Sequence, residues 1–539
     1  MPRSDGIRSV LVEDDARHLP TLTRRRFLRA SAAVSALVGL RLFPGPRALA
    51  ATGPLFALGV ASGDPDPTSV VLWTRLSRDP LAPDGGLPSR SIEVRWEVSL
   101  DETFGRVVRH GRAVARAEDA RAVHVAARGL APDTWYFYRF MAGGETSRVG
   151  RTRTMPARAA ETGRLRFALV SCQDYQNGYY AAYHDIAQQD LDLVIHVGDY
   201  IYEYPARAGA VRQHDGAETQ TLADYRARYA LYKLDPELQA VHALFPFLVT
   251  WDDHEVQDNY AGPFSEYGIP RERFLARRRA AYRAYFEHMP LRRGARPHPT
   301  STTLYRQLDF GPLARIFMFD GRQFRSDQPC HAPPLGIAVS CPEDEATNRT
   351  FLGARQERFL YRGLRRSKAR WNVIAQQVMM TRGDLGEALG STTPIFNMDA
   401  WDGYQAQRTR ILDFLATERP SNPIVLSGDI HSAWVADLKQ DFLNPASATA
   451  AVEFVGASIT SEFPAAFVPL IESHLGPTSR NPHILFFEGR KHGWVRATVT
   501  PDLWQSDYRA VESVLDPQAP ASTIASWVVE AGVPGARRV

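Results

Sequence analysis

The sequence predicts an α+β protein in which a small all-β sandwich precedes a larger layered α/β unit. Three observations predict it. Between residues 55 and 156, short alternating apolar runs are separated by turn residues, the pattern of strands with one buried face. From residue 163 onward the runs become almost wholly apolar, as in strands buried on both faces, and alternate with Arg- and Ala-rich helical patterns. The 539 residues, 44% hydrophobic and 23% charged, have the composition of a globular chain with more than one domain.

At the amino end, Thr23-Arg24-Arg25-Arg26-Phe27-Leu28-Arg29 precedes the small-residue apolar run Ala30 to Leu40 and then Ala48-Leu49-Ala50. A basic region, an apolar run too short to span a bilayer and an A-x-A-like site read residues 1–51 as a twin-arginine signal peptide. The expected destination is periplasmic or extracellular, and the expected export partner is the twin-arginine translocation machinery. That route carries folded proteins and suits an enzyme whose metal is inserted before export. Nine Arg and four acids in residues 1–51 give +5, so the formal net charge of +4 leaves −1 for the remainder. A near-neutral mature chain offers no nucleic-acid-binding patch at the level of composition. No later stretch approaches 18 apolar residues, so no transmembrane segment is expected in the mature chain.

Residues 54–156 form the expected sandwich, with strands at Ser69 to Leu76, Ser91 to Leu100, Val123 to Leu130 and Trp135 to Met141. Leu130-Ala131-Pro132-Asp133-Thr134-Trp135-Tyr136-Phe137-Tyr138 resembles the strand entry of fibronectin type III domains, where a Tyr closes a corner of the sandwich. Residues 151–163 read as the linker into the second domain, 163–500. Its buried strands are expected at Arg166 to Val170, Leu193 to Val197, Phe247 to Thr250, Ile316 to Phe319, Val373 to Ala375 and Ile424 to Leu426. Helices are expected at Tyr179 to Gln189, Leu222 to Tyr232, Arg271 to His288 and Gln405 to Thr417. Residues 501–539 are left as a tail in which Ile524 to Ala531 forms a docking helix or stays partly disordered. Of the three cysteines, Cys330 and Cys341, with ten residues between them in a Pro-rich loop, predict a disulfide outside the cytoplasm. Cys172 is left as a buried inert thiol or a functional group.

The chemistry-bearing residues follow the buried strands directly. Phe167 to Val170 leads into Ser171-Cys172-Gln173, and Leu193 to Val197 into Gly198-Asp199-Tyr200-Ile201-Tyr202-Glu203. Leu248 to Thr250 leads into Trp251-Asp252-Asp253-His254-Glu255, and Ile424 to Leu426 into Ser427-Gly428-Asp429-Ile430-His431. Sites in open α/β sheets assemble at strand carboxyl ends, so these four clusters are placed to converge. Several carboxylates in one pocket push each other's pKa upward unless a cation compensates them. Asp199, Asp252, Asp253 and Asp429 with few imidazoles, one possible thiolate and the Tyr202 phenol fit Ca²⁺, Mg²⁺, Mn²⁺ or Fe³⁺ better than a zinc pair.

The order G-D-x-x-Y, then D-H-E after a strand, then G-x-x-H is similar to the calcineurin-like metallophosphoesterases. Ser171-Cys172-Gln173, Trp251 to Glu255 and Gly428 to Trp434 resemble the PhoD-like alkaline phosphatase/phosphodiesterase family within that superfamily. Gly59 to Pro65, Tyr285 to Pro290, Asp399 to Tyr404 and Glu453 to Ile459 extend the resemblance, which runs from about Leu55 to Val499. It implies a fibronectin III/Ig-like β-sandwich followed by an α/β/β/α layered metallophosphoesterase domain. It also implies a centre of Fe³⁺ and Ca²⁺, with Cys172, Tyr202 and His431 on iron, Asp199 bridging, and Asp253 and Asp429 facing calcium. Asp252 is a further ligand candidate whose role the motif does not settle. His254 is implied as the catalytic group that contacts a phosphoryl oxygen and protonates the leaving alkoxide. The implied reaction is hydrolysis of phosphate mono- or diesters by a metal-activated hydroxide, without a covalent enzyme intermediate. Arginines between Arg271 and Arg283 are candidates for a phosphate clamp, and no role is assigned to Asp320, Arg322, Asp399 or Asp402. The alternatives are a phospholipase D-like diesterase and a catalytically silent surface-binding protein.

Overall fold

The computed structural model describes residues 53–297, 302–332, 336–477 and 479–539, so the expected export signal lies outside the described residues. Two large mixed sheets dominate. The first has ten strands, in the order Arg537–Arg538, Ala521–Glu530, Leu503–Val511, Gly493–Val499, Leu165–Val170, Leu193–His196, Pro246–Val249, Val60–Asp66, Ser69–Arg75 and Ala122–Arg128. Its middle four strands, Leu165–Val170 through Val60–Asp66, run parallel. The second has seven strands, with Ala314–Met318, Trp371–Ala375, Pro423–Ser427 and Thr449–Val455 parallel at its centre.

The parallel strands are buried on both faces, which is why they carry unbroken apolar runs rather than alternation. One apolar cluster draws on both sheets: Phe167, Leu169, Ile195 and Leu248 from the first, and Ile316, Val373, Leu426, Val435 and Phe454 from the second. On the far side of the first sheet, Val170, Val194 and Val249 pack against Tyr183, Tyr225, Leu238 and Tyr285 of the helices Ala181–Ala187, Leu222–Lys233, Pro236–Leu244 and Arg271–His288. On the far side of the second, Phe317, Ile374 and Val425 pack against Leu360 of Gly353–Arg365 and Ile411 of Gln405–Glu418. Thr221 starts one helix by accepting from the Asp224 amide while Asp224 returns the bond, and Asp235 followed by Pro236 starts the next.

Two expectations are corrected. Residues 501–539 are neither a docking helix nor a loose tail: Leu503–Val511, Ala521–Glu530 and Arg537–Arg538 extend the first sheet antiparallel. The β-branched Thr523, Ile524, Val528 and Val529 favour a pleated strand, and Trp504 pairs across with Val529. The amino-terminal sandwich is also not a separate bead. Its strands Val60–Asp66, Ser69–Arg75 and Ala122–Arg128 continue the first sheet beyond Pro246–Val249, with Ser62 and Gly63 in register with Pro246 and Phe247. Val60, Leu72 and Val125 then pack onto Val94, Val98, Tyr138 and Phe140 of a smaller sheet. Gly63 permits the junction, because a Cβ there would lie 2.6 Å from the Pro290 carbonyl oxygen and 2.7 Å from that of Phe247.

Candidate metal centre

The turns after Leu165–Val170, Leu193–His196, Pro246–Val249 and Pro423–Ser427 converge at one end of the stacked sheets. Backbone bonds stitch them together: the Cys172 amide donates to the Gly198 carbonyl and that of Gln173 to Asp199, both at 3.1 Å. The Glu255 carboxylate accepts from the amides of Asp199 at 3.1 Å, Tyr200 at 2.7 Å and Asp252 at 2.8 Å, tying two loops to one side chain. The turns are sharp. Cys172, Asp199, Asp429 and His431 all have left-handed backbones, with φ of 57°, 57°, 67° and 57°, a conformation that costs non-glycine residues energy and clusters at functional sites. Gly198 (φ 131°) and Gly428 let neighbouring loops touch; a Cβ on Gly428 would meet Ser171 Cβ at 2.7 Å.

Three donor groups result, each with its atoms within 4.8 Å of one another: Cys172, Asp199 and His431; Asp199, Asp252, Asp253 and Asp429; and Asp199, Asp253 and His254. Asp199 belongs to all three. Its Oδ2 accepts from the Tyr202 hydroxyl at 3.1 Å, and its Oδ1 is buried with no hydrogen-bond partner. The Tyr202 oxygen also lies 3.1 Å from His431 Nε2 and accepts from Ser461 Oγ at 2.7 Å. His431 Nδ1 is 3.2 Å from the Glu462 carbonyl oxygen, which can only accept, so the proton is on Nδ1 and the Nε2 lone pair faces the centre. Burial, and then the positive His254, push His431 down to about 4, so it is a neutral ligand-type imidazole.

The electrostatics call for a cation. Burial, reinforced by neighbouring carboxylates, drives Asp199 and Asp429 well above the usual range, and burial followed by Asp199 and Asp429 does the same to the Cys172 thiol. Burial pushes Asp252 up as well. Asp253 is held down, because Arg322 and His254 outweigh its burial. These buried, mutually repelling oxygens, with one unpartnered oxygen on Asp199, fit hard metal ions on the carboxylate side. The thiol, phenol and imidazole beside them fit a transition-metal ion. His254 remains a cation: burial opposes its charge, but Asp253, Glu203 and Asp199 outweigh it. Its Nδ1 donates to Glu203 Oε2 at 2.8 Å, Nε2 lies 3.9 Å from Asp253 Oδ2, and its ring stacks on Tyr202 at 4.1 Å.

The structure thus brings together Cys172, Asp199, Tyr202, Asp252, Asp253, His254, Asp429 and His431. It does not bring in the helix arginines, whose bonds go to Glu218 from Arg277, the Gly262 carbonyl from Arg278, and Glu287 from Arg283. The arginine at the centre is Arg322, fully buried against Asp252, Asp253, Asp399 and Asp429. It sits just past the carboxyl end of the strand Ala314–Met318, the same position as the other four clusters, and that placement was the available signal. Glu203 and Glu255 carried no signal beyond lying in those turns. Cys330 and Cys341 are joined in a disulfide, and Gln328 just before it donates to Asp399 Oδ1 at 2.8 Å and to the Asn259 carbonyl at 3.0 Å.

Comparison with known proteins places this arrangement in context. Two family descriptions match, "PhoD-like phosphatase" over residues 167–508 and "PhoD-like phosphatase, N-terminal domain" over residues 45–156. Alkaline phosphatase D of Bacillus subtilis (strain 168) is 44% identical over 531 residues, covering 96% of this chain and 89% of that protein. A solved structure described as "Structure of PhoD" is 45% identical, with a TM-score of 0.85 over 90% of this chain and 92% of that one.

Proposed function

The chain belongs to the PhoD-like phosphatase family, and from that premise we propose that its centre joins Fe³⁺ to Ca²⁺ for the hydrolysis of phosphate mono- or diesters. It is a phosphoesterase, a phosphoric ester hydrolase. The observation that carries the metal reading is Asp199, which is shared by a thiol–imidazole group on one side and a carboxylate group on the other, with a buried oxygen bonded to nothing. In this reading Cys172, Tyr202, His431 and Asp199 would hold iron, and Asp199, Asp252, Asp253 and Asp429 would hold calcium. When bound, the cations supply Lewis acidity toward the phosphoryl oxygens and the attacking water.

The chain's own residues do the rest. Glu203 fixes His254 with its Nδ1–H engaged, so Nε2 points to the Asp253 side of the centre carrying the second proton. Water adds to phosphorus as the P–O bond to the leaving group breaks, the His254 Nε2 proton goes to the departing alkoxide, and the proton that the water loses passes to solvent, from which His254 is reprotonated. Tyr202, stacked on the His254 ring, fixes its plane.

The finer architecture in this reading is an α/β/β/α layered catalytic unit whose first sheet also takes in residues 503–538 and the strands Val60–Asp66, Ser69–Arg75 and Ala122–Arg128 of a fibronectin III-like amino-terminal unit. The two-sheet core and the Tyr136 hydroxyl, which accepts from the Ala131 amide at 2.8 Å in the manner of a tyrosine corner, support it. Export through the twin-arginine machinery is proposed on residues 1–51. Among the described residues no helix is long and apolar enough to cross a membrane.

The test is the metal content and visible spectrum of protein from the exported fraction. Iron with calcium, and a charge-transfer band lost in Cys172→Ala or Tyr202→Phe, support the assignment. Two zinc ions without such a band remove the iron site, and hydrolysis unchanged in Asp253→Ala removes the proposed centre altogether. Turnover of a diester against a monoester separates phospholipase D-like specificity from monoesterase activity.

A further inference from the structure

Arg322 lies on the carboxylate side of the centre, and this inference rests on reading that side as the calcium site. Its side chain is fully buried, and its fork ends on carboxylates alone. Nη1 donates to Asp399 Oδ1 at 2.6 Å and Nη2 to Asp399 Oδ2 at 2.7 Å, a bidentate pair. Asp399 is already saturated, because Oδ1 also accepts from Arg325 Nη1 at 2.9 Å and from Gln328 Nε2 at 2.8 Å. It is the clamp that holds the guanidinium flat. The remaining donors turn to the candidate ligands: Nε to Asp252 Oδ1, and Nη2 to Asp253 Oδ1 at 3.2 Å and Asp429 Oδ1 at 3.4 Å. One guanidinium therefore touches three of the four clustered carboxylates, each through one oxygen.

A guanidinium cannot shed its proton in a protein, so this charge is present at every working pH. We propose that Arg322 is a resident cation of the cluster, which offsets part of the buried carboxylate charge and thereby competes with the calcium that the same carboxylates would hold. The competition follows from like charges facing shared ligands at low effective dielectric. The reach of Arg322 toward those ligands is set by Asp399. Arg322 and Asp399 thus act in opposite directions: removing the resident charge strengthens calcium binding, whereas weakening the clamp frees the guanidinium to bind Asp252, Asp253 and Asp429 more fully and weakens it.

The test is calorimetric titration of Ca²⁺ into the exported protein after EGTA treatment that leaves iron in place, with iron content measured in parallel. Arg322→Gln is expected to tighten calcium binding about tenfold or more and to lower the melting temperature of the EGTA-treated protein, with calcium restoring it. Asp399→Asn is expected to weaken calcium binding several-fold. Iron content should match the wild type in both. Loss of packing alone would not tighten binding, so the opposite signs are the signature. Equal or weaker binding in Arg322→Gln overturns the proposal. If that variant does not fold, Asp399→Asn decides, and unchanged or tighter binding there overturns it. Absence of calcium binding by the wild type, or binding indifferent to Asp429→Asn, instead defeats the calcium-site reading on which the proposal stands.

Discussion

Replacing Gly198 by alanine tests whether contact between the loops carrying Asp199 and Asp252 sets the centre. Gly198 has φ 131°, a region essentially reserved for glycine, and a Cβ there would lie 2.9 Å from the Asp252 amide nitrogen and closer still to Asp252 Cβ. Reaching ordinary contact near 3.4 Å requires the loops to part by about 0.5 Å or more. Backbone strain costs about 1–3 kcal/mol and the forced separation a similar amount, so the total of ~2–6 kcal/mol falls within a typical folding stability. The fold is therefore expected to survive with a lowered melting temperature. The displacement acts on the Glu255 carboxylate, which holds the Asp199 and Asp252 amides together, and so separates Asp199 from Asp252 and the carboxylates beside it. A misplacement of this size lowers kcat/KM by about ten- to a hundredfold, and metal content should fall with it. Gly144→Ala is the control: its φ is 82° but nothing lies within 4 Å of the added Cβ, so it carries backbone strain without the contact. A soluble Gly198→Ala protein with wild-type kcat/KM and metal content, or a Gly144→Ala protein equally impaired, would refute the reasoning.

Deleting residues 53–156 should give an insoluble or inactive protein, since it bares the edge of the Pro246–Val249 strand and removes the Trp73 Nε1 bond to the Glu287 carbonyl at 3.0 Å; a soluble fragment with native turnover contradicts this. Glu203→Gln keeps a neutral partner for His254 but loses the charge that fixes its protonated form, so kcat should fall about a hundredfold with metal content unchanged; an unaltered kcat excludes Glu203 as a positioning residue. Burial pushes Lys233 down to about 7 from 10.5, and its Nζ bonds the Tyr200 hydroxyl at 3.1 Å. Because the folded state binds this proton less well, Lys233 costs stability in full below pH 7, and the cost lifts as pH rises from about 7 to 10.5. Lys233→Met should therefore raise the melting temperature at pH 6, by an amount corresponding to at most ~5 kcal/mol, and show a shrinking gain by pH 10, which thermal melts at the two pH values check.

The clustering of the candidate ligands was legible in the sequence because they follow buried strands, and strand runs such as Leu193 to Val197 are readable from apolar continuity alone. The helix Arg271–His288 was legible for a similar reason, since Met289-Pro290 closes a long Arg- and Ala-rich stretch. What stayed hidden depends on pairings distant in sequence. Val60–Asp66 contains Gly63-Asp64-Pro65 and is not among the expected strands, yet Gly63 is what admits the strand beside Phe247 and Pro290. The carboxyl-terminal strands look like a short helix until Trp504 and Val529 are seen to pair across a hairpin.

Arg322 was hidden in the same way, 70 positions from Asp252 and 77 from Asp399. In the sequence, Asp199, Asp252, Asp253 and Asp429 stand as four carboxylates that only a metal would balance. With Arg322, Arg325 and Asp399 included, the protein carries part of that balance itself. The Asp399 carboxylate takes two bonds from Arg322 and one from Arg325, while Asp253, facing Arg322 and His254, is the carboxylate held ionised, and Asp199, Asp252 and Asp429 are driven upward by burial. Asp199, the carboxylate shared with the thiol–imidazole group, is the clustered one that Arg322 does not touch. A divalent ion bound beside it would gain most there, because Arg322 offsets that charge least.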